Sequence, residues 1–268
     1  MTDPTSAGDW IGRELGARAV SWTDRDVILY HLALGARADE LDLVFEQRLH
    51  VHPLFGLTLA QWAPDVLGGE GAFPVGQSVQ GAQGLEVLAP MPPSGSTEIT
   101  ARVAAVWDKG SAAVFEVEAS CDYFRGVWSI FAPGRGGFGG ERGPSKRSAP
   151  TGPPAYASEI VLDPRAAALY RLTGDRHLIH VDPAAAQAIG YPKPILHGLA
   201  TLGTAVMALA DQVGAKPWEL TSLTGRFSSV AFPGDRLAVE SWADGTFRVV
   251  SGRGVAIDDG TIAFGGAR

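Results

Sequence analysis

The chain has one cysteine, three methionines and no cluster of like charges. Each scarcity excludes something. With Cys121 alone there is no intrachain disulfide framework and no Cys-x-x-Cys metal cluster, which points to a reducing compartment; the thiol itself reads as an inert core residue in the apolar alternation FEVEASCDYF. The formal charge of −7 leaves no broad positive face, so nonspecific nucleic-acid binding is not expected, although a local basic pocket for one anion remains open. The start, MTDPTSAGDWIG, has neither a basic region nor an apolar core, so it does not read as a secretory leader, and a cytoplasmic location is the expectation. The longest apolar run, within ILHGLATLGTAVMALADQVG, is interrupted by His197, Thr201, Thr204 and Asp211, which argues against a membrane span.

What is present is a globular composition: 268 residues with 46% hydrophobic content can bury a full core. The stretch from Ala132 to Pro154 is dominated by Gly, Pro, Ser and Arg and reads as a linker or long surface loop. It divides the chain into residues 1–132, a linker at 133–154, and residues 155–268. The halves show traces of a repeat. Pro53-Leu54-Phe55-Gly56-Leu57 corresponds to Pro194-Ile195-Leu196-His197-Gly198-Leu199, with glycines 198 − 56 = 142 positions apart. Pro93-Ser94-Gly95 corresponds to Pro233-Gly234, with glycines 234 − 95 = 139 apart.

Each half therefore reads as one central helix followed by strands. In the second half Leu199, Leu202, Val206, Leu209 and Val213 form a single helical stripe, stopped by Gly214 and Pro217. Strands are expected at Leu220–Ser228, Arg236–Trp242, Thr246–Val255 and Thr261–Phe264, with turns at Pro233-Gly234-Asp235 and Asp258-Asp259-Gly260. In the first half Glu98–Val106 and Ala112–Tyr123 flank a turn at Asp108-Lys109-Gly110. The tryptophans, Trp10, Trp22 and Trp62 among them, read as core or interface residues.

Chemistry concentrates between Tyr170 and Gly203, YRLTGDRHLIHVDPAAAQAIGYPKPILHGLATLG, which holds Asp175 and three of the six histidines, His177, His180 and His197. Asp182-Pro183 starts a helix that runs through AAAQAI to Gly190. Asp175 and His180 then lie on the loop before it, where a rigid scaffold commonly presents reactive groups. A long helix beginning near Ile195 would leave its first four N–H groups without helical partners, and Gly198 N–H would be an oxyanion donor. Taken singly, His180 could be a satisfied buried histidine and Asp175 a turn residue. A metal site built from Asp175, His177 and His180 is the chemical rival, but no fourth ligand or supporting partner is evident.

The motif from Tyr170 through Asp175, His180-Val181-Asp182-Pro183, and then Gly190-Tyr191-x-x-Pro194-Ile195-Leu196-His197-Gly198-Leu199 resembles the signature of MaoC-like (R)-specific enoyl-CoA hydratases. It is similar above all to the type-two enoyl-CoA hydratase module of the peroxisomal multifunctional β-oxidation enzyme. Thr23-Asp24-Arg25-Asp26 with Tyr30–Gly35, Leu85–Pro90, and Arg226-Phe227 before Pro233-Gly234 extend the likeness over both halves. It implies an α+β double hot-dog fold, with catalysis in the second repeat and a first repeat that helps accommodate the acyl group. Asp175 and His180 would activate water, and Gly198 N–H would receive the enolate oxygen. His177, His197, Gly190 and Arg226 would contact substrate, His197 alternatively holding the Asp175 loop by a hydrogen bond and Arg226 alternatively being a solvated strand residue. No cofactor is implied beyond the coenzyme A thioester that is itself the substrate, and a homodimer is expected. Two departures stand out: His177-Leu178 replaces the usual Asn-Pro, and Gln80-Gly81-Ala82-Gln83 replaces His-Gly-Glu-Gln. A dehydratase acting on carrier-protein thioesters and a non-catalytic acyl-CoA-binding subunit are the alternatives.

Overall fold

The computed structural model describes residues 6–147 and 150–265. The linker positions 148 and 149, and residues 1–5 of the leader reading, lie outside the described residues. In the first half β1 (Glu14–Trp22) is followed by α1 (Asp24–Ala33), the single turn α2 (Leu41–Val44), α3 (Phe55–Leu59) and α4 (Trp62–Gly69). Strands β2 (Val79–Val87), β3 (Gly95–Asp108), β4 (Ala112–Ser120) and β5 (Phe124–Pro133) complete it. The second half holds β6 (Tyr156–Val161), α5 (Ala166–Tyr170), α6 (Pro183–Ala188), α7 (Gly198–Val213), β7 (Leu220–Phe227), β8 (Arg236–Ser241), β9 (Thr246–Ser251) and β10 (Gly254–Phe264).

All ten strands form one sheet in the order β1-β3-β4-β5-β2-β7-β10-β9-β8-β6. Read inward from either edge, each strand of the first half matches the strand five places later in the chain, so the sheet has a pseudo-twofold axis at the antiparallel β2–β7 pair. There Gln83 faces Gly225 and Gly84 faces Thr224. Offsets of 225 − 83 = 142 and 224 − 84 = 140 agree with those read from the sequence. This is the α+β double hot-dog architecture, two repeats whose central helices lie against a shared antiparallel sheet.

The long helix α7 begins at Gly198 rather than near Ile195. Ile195 N–H donates to Ile179 C=O and Leu196 N–H to Ala231 C=O, so the chain reaching His197 is held extended by neighbouring loops. Leu199, Leu202, Val206 and Leu209 are buried, each such side chain contributing about 1.5–3 kcal/mol by leaving water. Val213, expected on the same stripe, is exposed in the last turn, where Gly214 closes the helix in the left-handed conformation (φ 71°). At Gly203 a Cβ would come within 2.9 Å of Leu34 and 3.1 Å of the Tyr30 hydroxyl, so only glycine lets α1 approach this closely.

Three expectations are corrected. The central helix of the first repeat is broken into α3 and α4 around Ala60 and Gln61: in a continuous helix Pro64 would lack its bond to Ala60 C=O, whereas in the first turn of α4 that bond is not needed. Asp258-Asp259-Gly260 is an irregularity within β10 rather than a turn, and Asp259 takes φ 52° there. The turn lies instead at Gly252-Arg253, because Ser251 pairs with Gly254. Likewise β4 ends at Ser120, and Cys121 sits half-buried in the turn to β5 rather than within a strand. Residues 134–147 and 150–155 carry no strand or helix, and the first of these segments is pinned: the Asp108 carboxylate accepts from Gly137 and Gly139 N–H, and Lys146 and Arg147 pair with Asp258 and Asp259. Trp10, Trp22 and Trp128 are buried in the core, and no helix among the described residues is long and apolar enough to cross a membrane.

Candidate active site

The reactive loop leaves α5 through a tight turn at residues 171–173 and makes another at 178–180 before α6. Asp182 caps α6 by accepting from Ala184 N–H at 2.8 Å, with Pro183 in the first turn. Between the two turns Gly174 passes so close to α3 that a Cβ would lie 2.8 Å from Thr58 C=O. The first repeat thus fixes the backbone next to Asp175, and only glycine permits it.

His180 is buried, and its Nδ1–H donates to Ile195 C=O at 2.9 Å. This bond sets the tautomer and leaves Nε2 unprotonated, 3.8 Å from Asp175 Oδ2. Burial lowers the His180 pKa; Asp175 opposes the shift without reversing it. Asp175 is the complement. Burial pushes its pKa up, but the hydrogen bond from His177 and the adjacent His197 and His180 rings outweigh that and hold it well below the usual carboxylate range. His177 Nδ1 meets Asp175 Oδ1 at 2.6 Å, and His177 backbone N–H reaches the same oxygen at 3.0 Å.

His197 forms the wall behind these groups. Its ring stacks on His180 with centroids 3.6 Å apart and meets Tyr170 at a tilt of 44° with centroids 4.7 Å apart, and its Nε2 lies 3.2 Å from Asp175 C=O. It therefore holds the loop that carries Asp175. Burial lowers its pKa to about 3, so it is neutral. One residue later α7 begins: the first helical bond runs from Thr201 N–H to His197 C=O, which leaves Gly198 N–H ahead of the ladder. Gly198 is half-buried under Phe227, whose ring would sit 3.1–3.3 Å from a Cβ there.

Asp175, His180 and His197 offer ligand atoms within 4.8 Å of one another, a different trio from the Asp175, His177 and His180 set considered from sequence. His180 and His197 stack at 22°, so their lone pairs leave in nearly parallel planes rather than toward one point. His177 spends Nδ1 on Asp175.

Arg226 and Gly190 are not brought to this cluster. Gly225 faces inward against Leu202, so Arg226 points to the outer face of the sheet, where it acts on Asp258. Gly190 (φ 90°) is an exposed turn glycine after α6. Gln80 Nε2 donates to Gln83 Oε1 at 2.7 Å beside a bulge in β2, a local bracing of the strand. Asp65 on α4 was not found from sequence, since a lone acid in a helix gives no signal; in the fold its charge acts on both His177 and Asp175. A cavity of about 290 Å³ reaches His180 and is lined also by Ala167, Val181, Lys193, Pro194 and Pro233.

Residues 145–262 match the MaoC like domain family, and residues 20–124 match the MFE-2 hydratase 2 N-terminal domain family. The chain is 38% identical over 260 residues to Enoyl-CoA hydratase ChsH3 of Mycobacterium tuberculosis, with 90% of each protein covered. It is 30% identical to Enoyl-CoA hydratase 2, peroxisomal, of Arabidopsis thaliana, covering 88% of this chain and 86% of that one. The chain belongs to the MaoC-like hydratase family. A MaoC-like dehydratase from Phytophthora capsici superposes with a TM-score of 0.85 at 26% identity, covering 96% and 97% of the two chains. MaoC-like hydratases and dehydratases are hydro-lyases, and a pair made of one ionised carboxylate and one neutral imidazole suits addition or removal of water.

Proposed function

We propose that the protein hydrates trans-2-enoyl-CoA thioesters reversibly to (3R)-3-hydroxyacyl-CoA in β-oxidation of fatty-acid or sterol side chains. The observation that carries this reading is the 3.8 Å gap between His180 Nε2 and Asp175 Oδ2. A water about 2.8 Å from each atom bridges them by ordinary hydrogen bonds.

Because Asp175 is a weak base here, it orients the water through Oδ2 while His180 Nε2 takes the proton. The water oxygen bonds to C3, and the C2–C3 π electrons move onto the thioester oxygen as an enolate, which Gly198 N–H stabilises along the helix dipole. The enolate then reforms the carbonyl as C2 takes the proton from His180. One water is consumed and the imidazole is regenerated. Lys193, which lines the His180 cavity and lies 5.2 Å over the Phe232 ring, offers a cation for the coenzyme A phosphates.

Loss of the enoyl thioester absorbance with purified protein, followed by chiral analysis of the product, tests the reading. No turnover over a panel of linear, branched and sterol-derived acyl-CoA substrates overturns it. A strong preference for acyl-carrier-protein thioesters would instead favour the dehydratase alternative. The same proposal places the enzyme in the cytoplasm as a homodimer, which fractionation and sedimentation test.

A further inference from the structure

His177 stands where MaoC-like hydratases usually have asparagine, and its surroundings differ from those of the other two site histidines. His180 and His197 are buried and neutral, whereas His177 is about half exposed and binds a carboxylate directly. Its ring and its backbone N–H both hold Asp175 Oδ1, so that oxygen is fully engaged and Oδ2 alone remains for water and His180. A second carboxylate acts on the same ring: Asp65, from α4 of the first repeat. The remaining charged groups around it are His180 and His197 on the Asp175 side, and Arg18 of β1, which acts on Asp65 while its guanidinium lies 4.6 Å from the Trp62 ring.

We propose that His177 is a positioning residue held as an imidazolium, hydrogen-bonded to Asp175 of the second repeat and acted on at longer range by Asp65 of the first, a triad that locks the Asp175 carboxylate with one oxygen turned toward His180. The proposal rests on the hydratase reading for its effect on rate, but the ion triad itself does not. It gives the first repeat a part in the reaction beyond room for the acyl chain. The hydrogen bond and the two carboxylates favour the charged ring, in keeping with a pKa raised above the ordinary histidine value. When that proton leaves at alkaline pH, Asp175 loses its cationic partner and its carboxylate is held less firmly. Asparagine would supply the donor without the charge, and therefore without the pH step.

The test has two arms. In the first, the His177 ring is titrated by NMR in the wild type and in Asp65→Asn, with no need for turnover. The expected result is a midpoint above about 6.5 that falls in the variant; a midpoint at or below that value, or one that Asp65→Asn leaves in place, overturns the triad. In the second, kcat and KM are measured against pH for the wild type, His177→Ala and His177→Asn. His177→Ala should lower kcat by about tenfold or more with KM changed less than about threefold, the scale of losing a hydrogen bond to a charged group. His177→Asn should recover most of that loss and remove the alkaline step. If His177→Ala keeps the wild-type kcat and alkaline limb, the positioning role is wrong. If no form of the enzyme turns over enoyl thioesters, the hydratase reading fails, while the titration still decides the triad.

Discussion

Gly56 and Gly198 occupy corresponding places in the two repeats, 198 − 56 = 142 positions apart, each at the start of a helix after a proline. Gly56 N–H donates to Pro53 C=O, and a Cβ at that glycine would lie 2.7 Å from the Phe124 ring and 3.2 Å from Met91 Sδ. Gly198 N–H precedes the helical ladder, and its glycine is half-buried. The flanking histidines diverge in the same way. His31 and His52 are fully buried and spend their bonds on backbone: His31 donates from Nδ1 to Leu43 C=O, and His52 Nδ1 accepts Leu54 N–H. His180 Nε2 faces the Asp175 carboxylate, and His197 Nε2 bonds the backbone C=O of the same residue. In the first repeat this corner is packed as core, whereas in the second His180 Nε2 and the Gly198 N–H are left open for a ligand. What separates a site from a packing element here is which hydrogen bonds are already made, and the residue types alone do not reveal it.

The sharpest way to break this comparison is to remove the carboxylate. Asp175→Asn should lower kcat by about 10²–10⁴-fold with the circular-dichroism spectrum unchanged, a general acid–base contribution; a loss below tenfold would mean that the second repeat is no more reactive than the first. The glycines should respond in opposite currencies of measurement. Gly198→Ala presses on Phe227 beside the N–H and should reduce kcat/KM by about tenfold, which is about 1.4 kcal/mol of transition-state stabilisation, at nearly constant Tm. Gly56→Ala overpacks the Phe124 contact and should cost about 1–3 kcal/mol in denaturant unfolding while the folded enzyme keeps its kcat.

Lowered pH should act on both repeats through stability but on one through rate. Burial lowers His31 to about 4, and His52 and His197 to about 3. Between those values and the unfolded value of about 6.5 the unfolded chain binds more protons, so stability falls as pH drops through this window and Tm should fall with it. The acid limb of kcat should lie below about 6.5, where His180 takes its proton. The smallest effect is expected at Arg226→Ala, with KM for acyl-CoA changed by less than about twofold, as for a surface charge remote from the site.

Much of this site was legible in the chain. Asp182-Pro183 announced α6, Asp175 and His180 were placed on the preceding loop, and the proline and glycine around His197 announced a helix start. The start itself was misplaced by three residues, because the bonds that hold Ile195 and Leu196 extended come from Ile179 and from Ala231, segments that no local pattern connects. The break between α3 and α4 has a local cause in Pro64. The expected strands leave out β1, β2, β5 and β6: β1 and β6 are the sheet's edges and bury little of their length, and β2 carries Gly81 and Gly84, which weaken a strand signal, whereas β5 alternates clearly in burial.

The repeat, the α+β class and the residues able to do acid–base work are written in local pattern, because periodicity, turn residues and helix caps are local and each repeat carries its own. Tertiary structure decided the electrical state of those residues. Asp175 is a weak base because His177 binds it, His180 is neutral because Ile195 C=O takes its Nδ1–H and burial excludes water, and Asp65 joins them only because α4 of the other repeat folds beside that loop. Charge and tautomer depend on what lies within a few ångströms through space, and the chain order does not contain that information.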